Sequence, residues 1–226
     1  MRESGERPPL NRAAALALGR TGTATGSGTG WRHACHVLLY APLPAGHPPP
    51  GYAVLMQLRF DGRFGFPGGL VEPGGESLEA GLERELREEL GPAAGGLRLS
   101  PRHHRGAKAW PAGGSGGGSG SDAGLVTHFY IRRVKLEELV AIERGGPGAP
   151  EHGLEVQGLV RVPLGGGLPA FLRHRFAGDA REQLLGALPI LGIRPPPTEE
   201  PAGDIPPPQP GESPPKTNSR GKGGGK

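Results

Sequence analysis

Leucines stand at positions 78, 82, 86 and 90, one every four residues. That spacing gathers into a single apolar stripe only on an α-helix. Ser77 offers a side-chain oxygen to the first turn, and Gly91 followed by Pro92 supplies the stop. The chain must therefore build a helix over roughly residues 78–90 and provide a surface that covers its stripe. A glycine-rich run, residues 65–75, leads straight into it.

The same helix carries chemistry. Glu85, Glu88 and Glu89 fall at i, i+3 and i+4 and share one face beside the leucines. As bare structure, like charges at this spacing cost about 0.2–0.5 kcal/mol per pair. A divalent cation reverses the sign, because carboxylate oxygens are the ligands that hard Mg²⁺ or Mn²⁺ prefers. Gly81 lies one turn before Glu85 and leaves room on that face, while Arg84 stands four residues before Glu88 and can pair with it. An acidic solvent-exposed helix is the plain alternative, and the helix alone does not choose between the two.

The surrounding sequence decides whether a fold exists to hold this helix. Glycine (43) and proline (27) make up about 31% of the 226 residues, a share typical of low-complexity chains. They are unevenly placed. Residues 194–226 hold ten prolines and six glycines with Ile205 as the single large aliphatic, too little apolar surface to offset ordering entropy, so a disordered basic tail is predicted. Residues 1–30 read as a flexible N-terminal arm, and residues 111–124 as a flexible Gly/Ser loop. Between them, residues 31–193 are predicted to form one domain. Residues 36–40, 52–60, 125–134 and 154–162 read as strands, with a turn at Asp61-Gly62, and residues 135–143 and 180–188 as helices. Strands and helices mix without strict alternation, which points to an α+β fold.

A single cysteine, Cys35, excludes an internal disulfide framework and a multi-cysteine zinc site. No apolar run approaches the ~20 residues of a membrane-spanning helix, and the short Ala-Leu patch flanked by Arg12 and Arg20 reads against a signal peptide. The formal charge of +4 favours polyanionic partners weakly.

Glu76 is followed by seven residues and then by Arg84-Glu85-Leu86-Arg87-Glu88-Glu89-Leu90-Gly91. This resembles the Nudix box, G-x5-E-x7-R-E-U-x-E-E-x-G-U with U aliphatic. Two departures stand out: six residues rather than five separate Gly69 from Glu76, and Pro92 occupies the last aliphatic position. The extra residue lies in a glycine-rich loop that can bulge, and Pro92 ends the helix, so neither touches the carboxylate face. The stretches 31–36, 54–62, 152–164 and 180–185 look like the subgroup of Nudix hydrolases that removes RNA caps and hydrolyses inosine diphosphate.

The resemblance implies an α/β/α sandwich with the loop and helix packed on a mixed sheet. It implies a divalent cofactor, Mg²⁺ or Mn²⁺ with Co²⁺ as a further option, held by Gly68, Glu85, Glu88 and Glu89, the three glutamates being catalytic. Substrate contacts carry over to His36, Arg59, Phe66 and Gln183, with Phe66 offering a face on which a purine can stack. Partners implied are capped snoRNA and mRNA, the purine nucleoside diphosphates IDP and dIDP, and a second copy of the chain; the implied location is nucleus and nucleolus, with the cytoplasm as an option. A Nudix-fold module that binds RNA or protein without turnover is the competing reading, disfavoured by the intact box. Glu143, Glu151 and Glu155 are candidates for a further carboxylate, with no spacing argument to separate them. The basic stretch 102–108, containing His103-His104, reads as a flexible solvated loop, and His128 alternates with apolar neighbours on a strand without a place in the site.

Overall fold

In the computed structural model, residues 9–21, 30–47, 51–112 and 123–196 are described. The 12-residue strand β1 (Trp31–Pro42) is the axis of the sheet. One of its edges runs parallel to β6 (Gly124–Arg133), from Trp31 opposite Gly124 to Tyr40 opposite Arg133. The other edge is divided. Its first half pairs with the short β4 (Gly68–Leu70), His36 opposite Gly68, and its last part with β2 (Tyr52–Arg59), Leu39 opposite Leu55. Between the two, Val37 N donates to Pro67 O at 3.0 Å. The sheet is completed by β3 (Phe64–Gly65) on β2, β5 (His104–Trp110) on β6 and β7 (Val156–Pro163) on β2, all antiparallel. One parallel pair among antiparallel ones makes it a mixed sheet.

Alternation along β1 sorts side chains to two faces. Cys35, Val37 and Leu39 pack with Leu82, Leu86 and Leu90 of α2 (Leu78–Leu90) and with Leu139 and Ile142 of α3 (Leu136–Gly145). Leu38, with Val54 and Met56, packs on the opposite side against Leu184 and Leu188 of α5 (Ala180–Ile190) and the short α4 (Leu168–Phe171). This is the expected α+β sandwich of helices on both faces. The helix read from the leucine stripe forms as predicted: Ser77 Oγ accepts from Ala80 N at 3.1 Å, and Gly91, at φ 80°, closes the far end by donating to Arg87 O.

Three stretches depart from the sequence expectations. The N-terminal arm contains a helix, α1 (Arg12–Thr21). Asn11 Oδ1 accepts from Ala14 N at 2.9 Å, Leu10 bridges to Ala107 of β5, and Ala15 is fully buried against Ala107 and Val126. Arg12 forks onto Glu79 of α2 at 2.8–3.2 Å. The Ala-Leu patch is too short to hold a helix by itself; its tertiary partners decide. The basic stretch 102–108 is likewise no free loop: it folds into a 3₁₀ turn and the first half of β5, and His104 is half-buried. Finally, β4 escaped the strand pattern because two of its three residues are glycine. The remaining parts of the arm (residues 1–8 and 22–29), the bulk of the Gly/Ser loop (113–122) and the tail from residue 197 lie outside the described residues.

Candidate active site

The divided edge of β1 brings the glycine loop against the carboxylate face of α2. Gly68 adopts φ 129°, and a Cβ there would lie 2.0 Å from the Cys35 carbonyl oxygen, so only glycine fits. At Gly69, a Cβ would meet Glu85 Oε2 at 2.4 Å. Close approach at these two positions lets the loop lie directly on β1 at Gly68 and on the helix at Gly69.

Glu89 is 2% exposed. Its Oε1 accepts from Gln57 Nε2 at 2.8 Å, and its Oε2 accepts from Gly68 N at 2.6 Å. Burial pushes its carboxyl up to about 8, against the pull of those two donors, and the charges of Glu85 and Glu151 add to the rise. Glu85 is raised as well, first by burial, with Arg84 opposing and Glu88 and Glu151 contributing.

Arg84 ties the loop to the helix. Its Nη1 donates to Glu85 Oε1 and to Glu88 Oε2, both at 2.9 Å; its Nε donates to Glu76 Oε1 at 3.2 Å, and its Nη2 to Leu70 O at 2.8 Å. Glu76 in turn accepts from Glu72 N at 2.8 Å. The pairing of Arg84 with Glu88 is the one read from the sequence; its hold on Glu76 and on the loop carbonyl needs the fold.

Packing brings two of the three outlying carboxylates to Glu89. Glu151 N donates to Glu88 O at 3.1 Å, docking its turn on the end of α2. Carboxylate oxygens of Glu89, Glu151 and Glu155 lie within 4.8 Å of one another. Glu143 instead pairs with Arg161 and stands apart from the group. Burial raises the Glu151 carboxyl, with Glu155 and Glu88 adding. Five glutamates thus gather from two segments, Glu85, Glu88 and Glu89 on α2 and Glu151 and Glu155 on the turn beside it, with Arg84 bound to Glu85 and Glu88, and Gln57 Oε1 is buried beside Glu89 without a partner. Oxygen-rich, net-negative and held in place, this donor set fits a hard divalent cation.

The residues carried over as substrate contacts separate into three situations. His36 is half-buried beside the loop; burial, helped by the charge of Arg59, pulls its imidazole down to about 4, so it is neutral at physiological pH. Arg59 packs close against Gly65, and its Nε is buried without a hydrogen bond. Phe66 is 2% exposed and lies against Phe129, ring centroids 5.3 Å apart, within the core under α5. Its ring is taken by the protein itself. Gln183 lies on α5, donating to Asp179 Oδ1 at 3.0 Å, and lines a cavity of about 480 Å³ with Lys108, Thr127, Phe129 and Asp179. Phe129, opposite His36 in the β1–β6 register, connects this cavity to the loop side of the sheet.

Sequence reading missed Gln57, an isolated polar residue in an apolar strand, whose position after Met56 gave no chemical signal. It also left His128 unplaced. That residue is fully buried in a chain of three imidazoles, its Nε2 2.9 Å from His33 Nδ1 and its Nδ1 3.1 Å from His104 Nε2.

A family model described as "Nudt16-like: U8 snoRNA-decapping enzyme-like" matches residues 33–193. The U8 snoRNA-decapping enzyme of Bos taurus is 54% identical over 175 residues, covering 74% of this chain and 85% of that protein. The enzyme of the same name from Xenopus laevis is 46% identical over 173 residues, covering 73% and 77%. The Tudor-interacting repair regulator protein of Homo sapiens is 41% identical over 177 residues, covering 74% and 78%.

Proposed function

We propose, from the premise that this chain belongs to the U8 snoRNA-decapping enzyme-like family of Nudix hydrolases, that it cleaves phosphoanhydride bonds in two settings. These are the cap of snoRNA or mRNA and the (deoxy)inosine diphosphates IDP and dIDP, which it converts to the monophosphates. The observation that carries the reading is the Glu89 carboxylate, buried and clamped between Gln57 and the Gly68 amide with the carboxylates of Glu151 and Glu155 beside it.

In this reading Glu85, Glu88 and Glu89, with the Gly68 carbonyl and a carboxylate from Glu151 or Glu155, hold Mg²⁺ or Mn²⁺, with Co²⁺ as a further candidate. A bound divalent ion supplies neutralisation of phosphate charge and a water of lowered pKa. Arg84 keeps Glu85 and Glu88 aimed despite their mutual repulsion, and its own charge lowers the cost of bringing a polyphosphate to the cluster. Glu88, the most exposed of the three at 36% of its side chain, is the one placed to orient an attacking water. Neutral His36 donates a hydrogen bond from one ring nitrogen, and Arg59, whose Nε makes no hydrogen bond and lies 3.9 Å from Asp61 Oδ1, brings its charge near it. Together they serve an anionic substrate oxygen on the loop side.

A homodimer and residence in the nucleus and nucleolus complete the proposal; both are carried by family resemblance alone. The relatives named for Tudor interaction favour a second reading, a module that binds a protein partner without turnover. The complete set of Arg84, Glu85, Glu88 and Glu89 argues for catalysis. Incubating the full chain with Mg²⁺ or Mn²⁺ and either IDP or capped RNA is the deciding experiment. Release of phosphate from IDP and of the cap from RNA is expected, and the hydrolase reading fails if neither substrate is consumed.

A further inference from the structure

Gln57 is fully buried, yet half of its amide has no partner among the described residues. It sits on β2 between Met56 and Leu58, opposite Gly65 of β3 and Leu159 of β7. An apolar side chain there would leave no polar atom to satisfy. Its Nε2 donates to Glu89 Oε1 at 2.8 Å. That bond fixes which way the amide points, because the reverse orientation would set its oxygen against an oxygen of the ionised carboxylate. Amide geometry puts Oε1 roughly 2.2 Å from Nε2, hence no more than about 5 Å from Glu89 Oε1. Carboxylate oxygens of Glu151 and Glu155 lie within 4.8 Å of one on Glu89. Arg59, two residues on along β2, does not serve the orphan oxygen; its own Nε is also without a hydrogen bond.

We infer that Gln57 is a positioning residue of the cation site. Its amide nitrogen holds Glu89 as a ligand, and its amide oxygen accepts a hydrogen bond from a water carried by the divalent ion. Buried acceptors are nearly always paired, so an orphan one calls for a donor. Ionised carboxylates cannot supply it, being acceptors only. Small hard cations keep several waters when bound by carboxylates, and the hydrogens of those waters point outward to neighbouring acceptors. Residues that bond the ligands of a metal orient them and set its affinity. A residue needed only to clamp Glu89 requires a donor alone, whereas glutamine brings a donor and an acceptor on one planar group. The inference rests on the hydrolase reading for the presence of the cation, but its test does not depend on turnover.

The test uses the full chain with two substitutions. Gln57→Met keeps the length of the side chain and removes both polar ends; Gln57→Glu keeps the acceptor and removes the donor. Mn²⁺ affinity is measured by calorimetry without substrate, thermal melts are run in chelator and with Mn²⁺, and turnover of IDP is followed against Mn²⁺ concentration. Gln57→Met is expected to bind Mn²⁺ about 10- to 100-fold more weakly than the parent. Its melting temperature should rise less on adding Mn²⁺, and half-maximal turnover should need correspondingly more of the ion. Gln57→Glu is expected to bind Mn²⁺ at least as tightly as the parent, its oxygens and added charge both favouring the cation. Unchanged Mn²⁺ affinity in Gln57→Met overturns the assignment. So does a melting temperature lowered equally with and without Mn²⁺, which would make Gln57 a packing residue. Binding in Gln57→Glu as weak as in Gln57→Met overturns it too, since Glu89 would then need the donor alone. If Gln57→Met does not fold in chelator, Gln57→Glu carries the test, and weaker binding than in the parent overturns the assignment. A parent that binds Mn²⁺ through Gln57 but consumes neither IDP nor capped RNA upholds the inference and removes the hydrolase reading. Turnover of IDP with Mn²⁺ affinity untouched in Gln57→Met does the reverse, and failure of the parent to bind Mn²⁺ overturns the assignment.

Discussion

Gly69 lies so close to Glu85 that a methyl group on its Cα would stand 2.4 Å from Oε2 and 2.6 Å from Cδ of that carboxylate. The glycine is thus part of the carboxylate arrangement, holding the space in which the Glu85 side chain rests beside Arg84. Gly69→Ala must displace either the loop or the glutamate. A displacement near 1 Å at a reacting centre costs on the order of 100-fold in rate. We expect kcat to fall by about that factor, with thermal stability lowered by about 1–3 kcal/mol from overpacking. Steady-state kinetics and thermal melts check the pair of effects.

Arg84 bonds Glu76, Glu85, Glu88 and Leu70 O through its planar fork. Lysine keeps the charge but cannot reach in so many directions. Arg84→Lys should lower activity by about 10- to 100-fold, as loss of groups that support metal ligands does, and should raise the Mg²⁺ concentration needed for half-maximal rate. Titration of activity with Mg²⁺ distinguishes this from loss of substrate affinity.

Glu89→Gln removes a carboxylate that two donors already address. The new amide can accept from Gln57 or from Gly68 N, not from both as now. Activity should fall by on the order of 100-fold or more with the loss of a ligand. The proton balance adds a second readout. Glu89 keeps its proton up to about 8 in the folded protein, against the ordinary glutamate value of 4.5. Between these values the native state binds more protons, so metal-free stability declines as pH rises through that window. Denaturant unfolding in chelator at pH 5 and pH 8 should show this decline in the parent and a smaller one in Glu89→Gln.

His128 behaves oppositely. Desolvation, with His33, His104 and Arg12 adding, pulls its imidazole down to about 3 from 6.5. The unfolded chain therefore binds the extra proton first, and stability is lost as pH falls from 6.5 toward 3. The slope approaches about 1.4 kcal/mol per pH unit for one group. His128→Asn should be less stable than the parent at pH 7 and lose stability less steeply below pH 6.5, as measured by denaturant unfolding across that range.

Arg12 is the tether of α1. Its fork to Glu79, which also accepts from Tyr130 Oη at 2.9 Å, joins the N-terminal segment to α2 and β6. Arg12→Ala should cost about 1–3 kcal/mol, the range for a hydrogen bond to a charged group left partly unsatisfied. Amide exchange in residues 12–18 should accelerate before the sheet is affected.

Periodicity and spacing determined the leucine-striped helix, its caps, the strands that carry the core and the shared face of Glu85, Glu88 and Glu89. Each follows from one turn or one pleat, so neighbours in sequence contain the whole argument. The tertiary structure alone decided what those elements meet. It chose Glu151 and Glu155 over Glu143 and set Gln57 against Glu89. It turned Phe66 into the core while leaving Phe60 in solvent, linked His33, His128 and His104 across three strands, and folded part of a glycine- and alanine-rich arm onto Glu79. These contacts join residues as many as 95 positions apart. They depend on β1 pairing with β6 along one edge and dividing the other between β4 and β2, long-range pairings that no local pattern encodes.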